Sequence, residues 1–259
     1  MLNQLTQFFL AFSHPEVIIP LAILGYIWIE RRVFFHAICL IMLSMIVNPA
    51  LKSTFKVPLS PELAGDFALP SGHMQLAVIL YGWFALNYKN KAFRSSMAAV
   101  VCAVAFGLMQ AGYHNALDII AAIAAGAAVL FAYNYCKARF AKRFAPLLIG
   151  FSALAMAYTA QMHRVPAHSW LAIYTLIGAL SAQYLLQKSD ANALQNNRNF
   201  IANMLATIIA TAALFIINTV FANQNLPLFI SQSGWALIGL AVISAPKLSQ
   251  RITKLPKGA

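Results

Sequence analysis

Asn115-Ala116-Leu117-Asp118-Ile119-Ile120-Ala121-Ala122-Ile123-Ala124-Ala125-Gly126-Ala127-Ala128-Val129-Leu130-Phe131-Ala132-Tyr133-Asn134-Tyr135-Cys136 is a run of 22 residues with one charge, near its start. About 20 consecutive apolar residues are what a helix needs to cross a bilayer. The alanines and Gly126 would let neighbouring helix backbones approach closely, so this segment is expected at the centre of a packed bundle. Working outward on the same measure gives nine spans, at 15–30, 33–51, 71–88, 95–113, 115–136, 144–162, 168–187, 199–222 and 228–246. Residues 2–13, with Phe8, Phe9 and Phe12, read as an interfacial helix lying along the membrane before the chain turns in at His14-Pro15. The sequence therefore predicts an all-α membrane protein, a bundle of about nine transmembrane helices with an N-terminal interfacial helix.

Composition agrees. The chain is 61% hydrophobic and 9% charged, whereas a soluble domain is about half apolar and about a quarter charged. The formal net charge of +12 would suggest nucleic acid only if it formed one contiguous basic face. Here it lies in short clusters between apolar runs, which excludes nucleic acid as a partner and makes the membrane the partner instead. Cys39, Cys102 and Cys136 lie in or at the ends of apolar runs without metal-ligand spacing, so neither a disulfide framework nor a metal site is expected. The N-terminus has no basic region and no small-residue cleavage site, so a removed signal peptide is not expected.

Orientation follows from the basic residues, which cytoplasmic loops retain. One set of alternate loops, with the C-terminal tail, holds 15 of the 18 Lys and Arg residues, and the other holds only Lys52, Lys56 and Arg164. This predicts a multi-pass inner-membrane protein with its N-terminus outside and its C-terminus inside.

Four ionisable groups fall at the outward ends of helices: Lys52, His73, His114 and Asp118. Such groups are costly at membrane depth and are candidates for function. His114 and Asp118 are spaced i, i+4 and share a helix face. The carboxylate can then hold one imidazole nitrogen and leave the other as nucleophile or base. Pro70-Ser71-Gly72 stands just before His73, where the free amides of a helix start make an anion site that glycine lets a phosphate approach closely. These residues describe a phosphate pocket with two histidines and one orienting acid.

Pro70-Ser71-Gly72-His73, followed about forty residues later by Gly112-Tyr113-His114-Asn115-Ala116-Leu117-Asp118, closely resembles the second and third signatures of the type 2 phosphatidic-acid phosphatases, and Lys52 is similar to the first. The resemblance covers roughly residues 15–140. It implies phosphoryl transfer with no metal and no cofactor. His114 would attack phosphorus to give a phosphohistidine, Asp118 would orient it, and His73 would protonate the departing oxygen. Lys52, Ser71 and Gly72 would bind the phosphoryl oxygens, electrostatic work on which such transfers depend. Two arginines of the pattern are missing: the family's Arg-Pro is Leu59-Ser60 here, and its Ser-Arg is Gly107-Leu108. Phosphate would be gripped less strongly without those guanidinium groups.

The resulting division is an interfacial helix over 1–14, a phosphatase-like core over 15–162 and appended transmembrane helices over 163–259. The expected activity is removal of phosphate from a lipid phosphate or diphosphate at the extracytoplasmic face, with a phosphorylated membrane lipid as substrate. Head-group phosphotransfer, and non-catalytic binding or transport of a phosphorylated lipid, are the alternatives. Lys52 could also merely snorkel to the interface. Lys56, Glu62 and Asp66 are solvated loop charges or a lid, and His36 is a packing residue. Arg164, in the turn Met162-His163-Arg164-Val165-Pro166-Ala167-His168, either anchors its helix or returns a guanidinium to the phosphate site.

Overall fold

The computed structural model describes residues 2–59, 67–189, 199–222 and 227–254. Ser60, Glu62, Asp66 and Arg198 lie outside the described residues. In chain order the helices are α1 (Leu2–Ala11), α2 (Pro15–Leu24), a π-helical turn at Gly25–Ile29, α3 (Arg31–Phe55), α4 (Gly72–Asn87), α5 (Lys91–Gln110), α6 (Ala116–Arg139), a 3-10 turn at Ala141–Arg143, α7 (Phe144–Met162), α8 (Ala167–Ser189), α9 (Phe200–Ala222), α10 (Leu228–Ser231) and α11 (Gly234–Lys254). Beyond an isolated bridge between Pro58 and Phe67, no extended pairing occurs among the described residues. The protein is an all-α membrane bundle.

Among the described residues, eight helical segments are long and apolar enough to span a bilayer. The ninth expected span, at 71–88, is α4, whose 16 residues lie just under the lower end of the spanning range, about 17. Met74, Ala77, Ile79, Leu80, Tyr81, Trp83 and Phe84 are all buried against other helices of the protein. The first spanning segment, Gln4–Ile29, takes in both α1 and α2.

The chain divides into two compact units, one of residues 1–19 and 40–169, the other of residues 20–39 and 170–259. In the first, α4 packs against α5 and α6, and α1 packs against α5. The small-residue run of α6 is not central as expected: Ala124, Ala127 and Ala128 are exposed, along with Ile120 and Phe131. One face alone packs closely on α4, where a methyl on Gly126 would lie 2.9 Å from Val78 Cγ1 and 3.1 Å from the Gln75 carbonyl oxygen. Leu10 of α1 is 1% exposed, and Phe9 sets its ring edge-on to Phe106 of α5 at 6.2 Å.

In the second unit, α9 packs on α11 and on the π-helical turn. Gly178 meets the Ala236 backbone and Gly239 meets that of Thr175, so α8 and α11 cross at a pair of glycines where no other side chain fits. Tyr26 donates from its hydroxyl to the Ile243 carbonyl at 3.0 Å, and Trp28 Nε1 donates to Thr207 Oγ1 at 3.0 Å.

Candidate active site

The turn after α5 delivers His114. Gly112 adopts φ +71°, and the Tyr113 amide bonds the Leu108 carbonyl at 3.1 Å while the Gly112 amide bonds that of Met109 at 3.0 Å. This is the six-to-one and five-to-two pairing of a Schellman cap. Nothing lies within 4 Å of a methyl built on Gly112, so its backbone conformation, not space, requires glycine there.

Asn115 then caps α6. Its side chain accepts from the Asp118 amide at 3.0 Å, and Asp118 Oδ2 accepts from the Asn115 amide at 3.1 Å, a reciprocal capping box. The same Oδ2 lies 3.2 Å from His114 Nδ1, so the carboxylate is fixed by backbone before it engages the imidazole. Asp118 is 2% exposed, and its Oδ1 atom is buried with no hydrogen-bond partner among the described residues. An Nδ1–H donating to Asp118 leaves Nε2 of His114 as the unprotonated nitrogen. Burial pushes the His114 imidazole below its ordinary value, against the opposing pull of the Asp118 hydrogen bond and charge.

The start of α4 forms the second wall. Ser71 is the N-cap, its Oγ accepting from the Met74 amide at 3.4 Å, and the Ser71 amide donates to the Asp118 carbonyl at 3.3 Å. That last bond ties the first turn of α4 directly to the first turn of α6. Gly72 sits at a close approach: a methyl there would lie 3.0 Å from Asn48 Oδ1 and would press on that side chain. Asn48 donates from Nδ2 to the Pro70 carbonyl at 3.2 Å and to Gln75 Oε1 at 3.0 Å, while Gln75 Nε2 donates to Ser44 Oγ at 3.4 Å. This buried network on α3 and α4 braces the Pro70-Ser71-Gly72 segment from behind, since Asn48, Gln75 and Ser44 are 8%, 0% and 2% exposed.

Lys52, near the end of α3, donates from Nζ to the Phe67 carbonyl at 2.7 Å. His73 interacts electrostatically with His14, His114 and Lys52, and Lys52 acts in the same way on His114 and His168. The structure thus brings Lys52, Ser71, Gly72, His73, His114 and Asp118 into one neighbourhood. Arg164 stands exposed on the α7–α8 turn with no hydrogen bond or ion pair to the described residues. His36 belongs to the second unit, while the candidate site residues are in the first.

Sequence reasoning missed Asn48, Gln75 and His14. Asn48 and Gln75 are polar residues inside apolar runs, which was a usable signal. His14 carries no motif, and its approach to His73 depends on tertiary packing. Among the described residues, no three His, Cys, Asp or Glu side chains converge in an arrangement that could hold a metal ion.

A match to a protein-family model covers α3 to α6, the helices that carry this geometry. Residues 33–142 match the PAP2 superfamily. The match spans both signature regions and Lys52, so the resemblance seen in the motifs holds for the helices that present them. No curated protein and no solved structure matches the chain. The long apolar helices make this an integral multi-pass membrane protein, and the PAP2 match supports a function of phosphatase type.

Proposed function

We propose that this PAP2 protein is a lipid phosphatase that removes a phosphate from a lipid phosphate or diphosphate at the extracytoplasmic face through a phosphohistidine. The observation that carries this reading is the His114–Asp118 pair. Asp118 is locked by the α6 capping box and holds Nδ1, which turns the unprotonated Nε2 into a nucleophile. The first turn of α4, with Gly72 at its start, lies beside it through the Ser71–Asp118 backbone bond. Its amides and Lys52 supply positive potential for phosphoryl oxygens.

In the first half-reaction Nε2 of His114 attacks phosphorus, the bond to the lipid oxygen breaks, and His73 gives that oxygen its proton. In the second, water attacks phosphorus, His73 takes the water proton, and the phosphorus–nitrogen bond breaks to release phosphate. His73 ends as it began, so the net reaction consumes one water. The charge asymmetry of the loops supports the extracytoplasmic face.

The test is release of inorganic phosphate by the purified full-length protein in detergent from phosphatidate, phosphatidylglycerol phosphate, a polyprenyl diphosphate and a lipid A phosphate, with and without EDTA. We expect release from at least one of these, persisting in EDTA and abolished by His114→Ala. Turnover that His114→Ala leaves at the wild-type level would sink the phosphohistidine mechanism. Phosphate recovered only on an added acceptor lipid would make the protein a phosphotransferase. Tight lipid binding without turnover would make it a binding protein.

A further inference from the structure

Asp118 orients His114, but His73 has no comparable carboxylate. Among the described residues its side chain makes no hydrogen bond, and its ring contact is with the imidazole of His14, at a centroid distance of 5.4 Å and an interplanar angle of 54°. His14 lies between α1 and α2, about sixty residues away in sequence, and the fold fixes it from three sides.

Ser13 is 1% exposed and donates from Oγ to the Leu10 carbonyl at 2.8 Å, which closes the end of α1. The His14 carbonyl accepts from the amides of Val17 and Ile18, both at 3.1 Å, and so begins α2. Tyr81, on the same helix as His73, donates its hydroxyl to the Phe12 carbonyl at 2.6 Å. The turn bearing His14 is therefore pinned to α4 itself. The ordinary reading of two neighbouring rings is apolar packing, but His73 is exposed and His14 is half-buried, so their contact removes little surface from water.

We propose that His14 is a positioning residue of the site, holding the His73 ring in the orientation from which it serves the leaving oxygen. The N-terminal helix is then part of the catalytic apparatus: α1 docks on α5, its end is tied to α4, and the next residue braces the acid. A neighbouring imidazole suits this task because it orients the ring without the fixed negative charge of a carboxylate, which would hold the proton that His73 must give up. This assignment rests on the phosphatase reading of His73.

The experiment compares wild type, His14→Ala, His73→Ala and the double variant on a dialkyl lipid phosphate and on p-nitrophenyl phosphate. An aryl leaving group needs little protonation. His14→Ala should lower kcat on the lipid about tenfold with KM unchanged, keep the aryl substrate within about twofold, and cost nothing further when His73 is already alanine. Because the His14 contacts that build the turn are made by its backbone, the variant should fold. Equal losses on both substrates, or full additivity with His73→Ala, would overturn the proposal.

Nitrogen-15 histidine NMR of the detergent-solubilised chain, which has six histidines, gives a readout independent of turnover. His14→Ala should shift the His73 ring resonances and tautomer balance and leave those of His114 in place. Unchanged His73 resonances would also overturn the assignment. A wild-type protein with no turnover on any substrate but with the His73 shift present would support the positioning contact and sink the phosphatase reading.

Discussion

Leu10 is seated on Gly107: a methyl built on Gly107 would lie 3.2 Å from both Cγ and Cδ2 of Leu10. Gly107 and Leu108 stand where the family's pattern has Ser-Arg, and Leu108 is 1% exposed. The helix that brings His14 to the site thus occupies ground beside the missing arginine. An arginine restored at this position would be buried among apolar neighbours, and an uncompensated buried charge costs about 3–5 kcal/mol. Leu108→Arg should lower the melting temperature in detergent markedly and not raise turnover. Unchanged melting with tighter phosphate inhibition would show instead that a guanidinium reaches the pocket from position 108.

The pH dependence follows from His114. Its imidazole sits below the ordinary histidine value because burial disfavours the cation, while Asp118 pulls it up. The nucleophile must be unprotonated, so the acid limb of kcat/KM should lie below about 6.5. Asp118→Asn removes the group that favours the imidazolium. The residual activity of that variant should therefore show an acid limb at still lower pH, even though its rate falls. A limb that moves upward would mean that Asp118 is not the counter-charge of His114.

Gly112 separates backbone from packing effects. Its φ of +71° is open to glycine, and no neighbour would meet a methyl there. Gly112→Ala should cost about 1–2 kcal/mol, read as a lower melting temperature, and should impair turnover further because the turn aims His114. Gly112→Asn should be milder, since asparagine enters that region more readily. Equal effects of the two variants would point to a cause other than the backbone angle.

Much of this was legible in the sequence, for reasons that individual residues make plain. A spanning helix needs only a run of apolar residues, and the His114–Asp118 pair needs only a spacing of four, so both are local properties. Hydropathy finds α4 but not its burial, because an apolar run does not distinguish contact with protein from contact with lipid. The approach of Asn48 to Gly72, and of His14 to His73, joins residues that are 24 and 59 positions apart; such contacts are set by helix packing and leave no periodic trace. Gly112 was visible as part of a motif, but its role as the Schellman cap of α5 needed the backbone angle.

Topology is open to direct labelling in a cysteine-free background. Ala167 and Lys89 are both exposed, the first at the start of α8 and the second just after α4. With the charge asymmetry read as above, Ala167→Cys should react with an impermeant thiol reagent added to intact cells, and Lys89→Cys only after lysis. The reverse pattern would put His73 and His114 on the cytoplasmic face.

Arg164 tests whether the α7–α8 turn serves the phosphate. The turn is linked to Lys52 at both ends: the His163 ring lies edge-on to Phe67 at 5.0 Å, the Phe67 carbonyl accepts from Lys52 Nζ, and His168 shares the electrostatic field of Lys52. Arg164 lies between them, exposed, on a chain fixed by Pro166. A dianionic phosphate in a water-poor pocket needs more positive charge than Lys52 and helix amides supply, and a long guanidinium can swing in when the anion arrives. A hydrogen bond to a charged group is worth about 1.5–3 kcal/mol, so Arg164→Ala should raise the inhibition constant for inorganic phosphate about tenfold or more at constant melting temperature. Arg164→Lys should recover part of that loss, because charge returns without the bidentate geometry. Inhibition that stays at the wild-type level while membrane insertion or melting suffers would leave Arg164 as an interfacial anchor, with Lys52 carrying the phosphate alone.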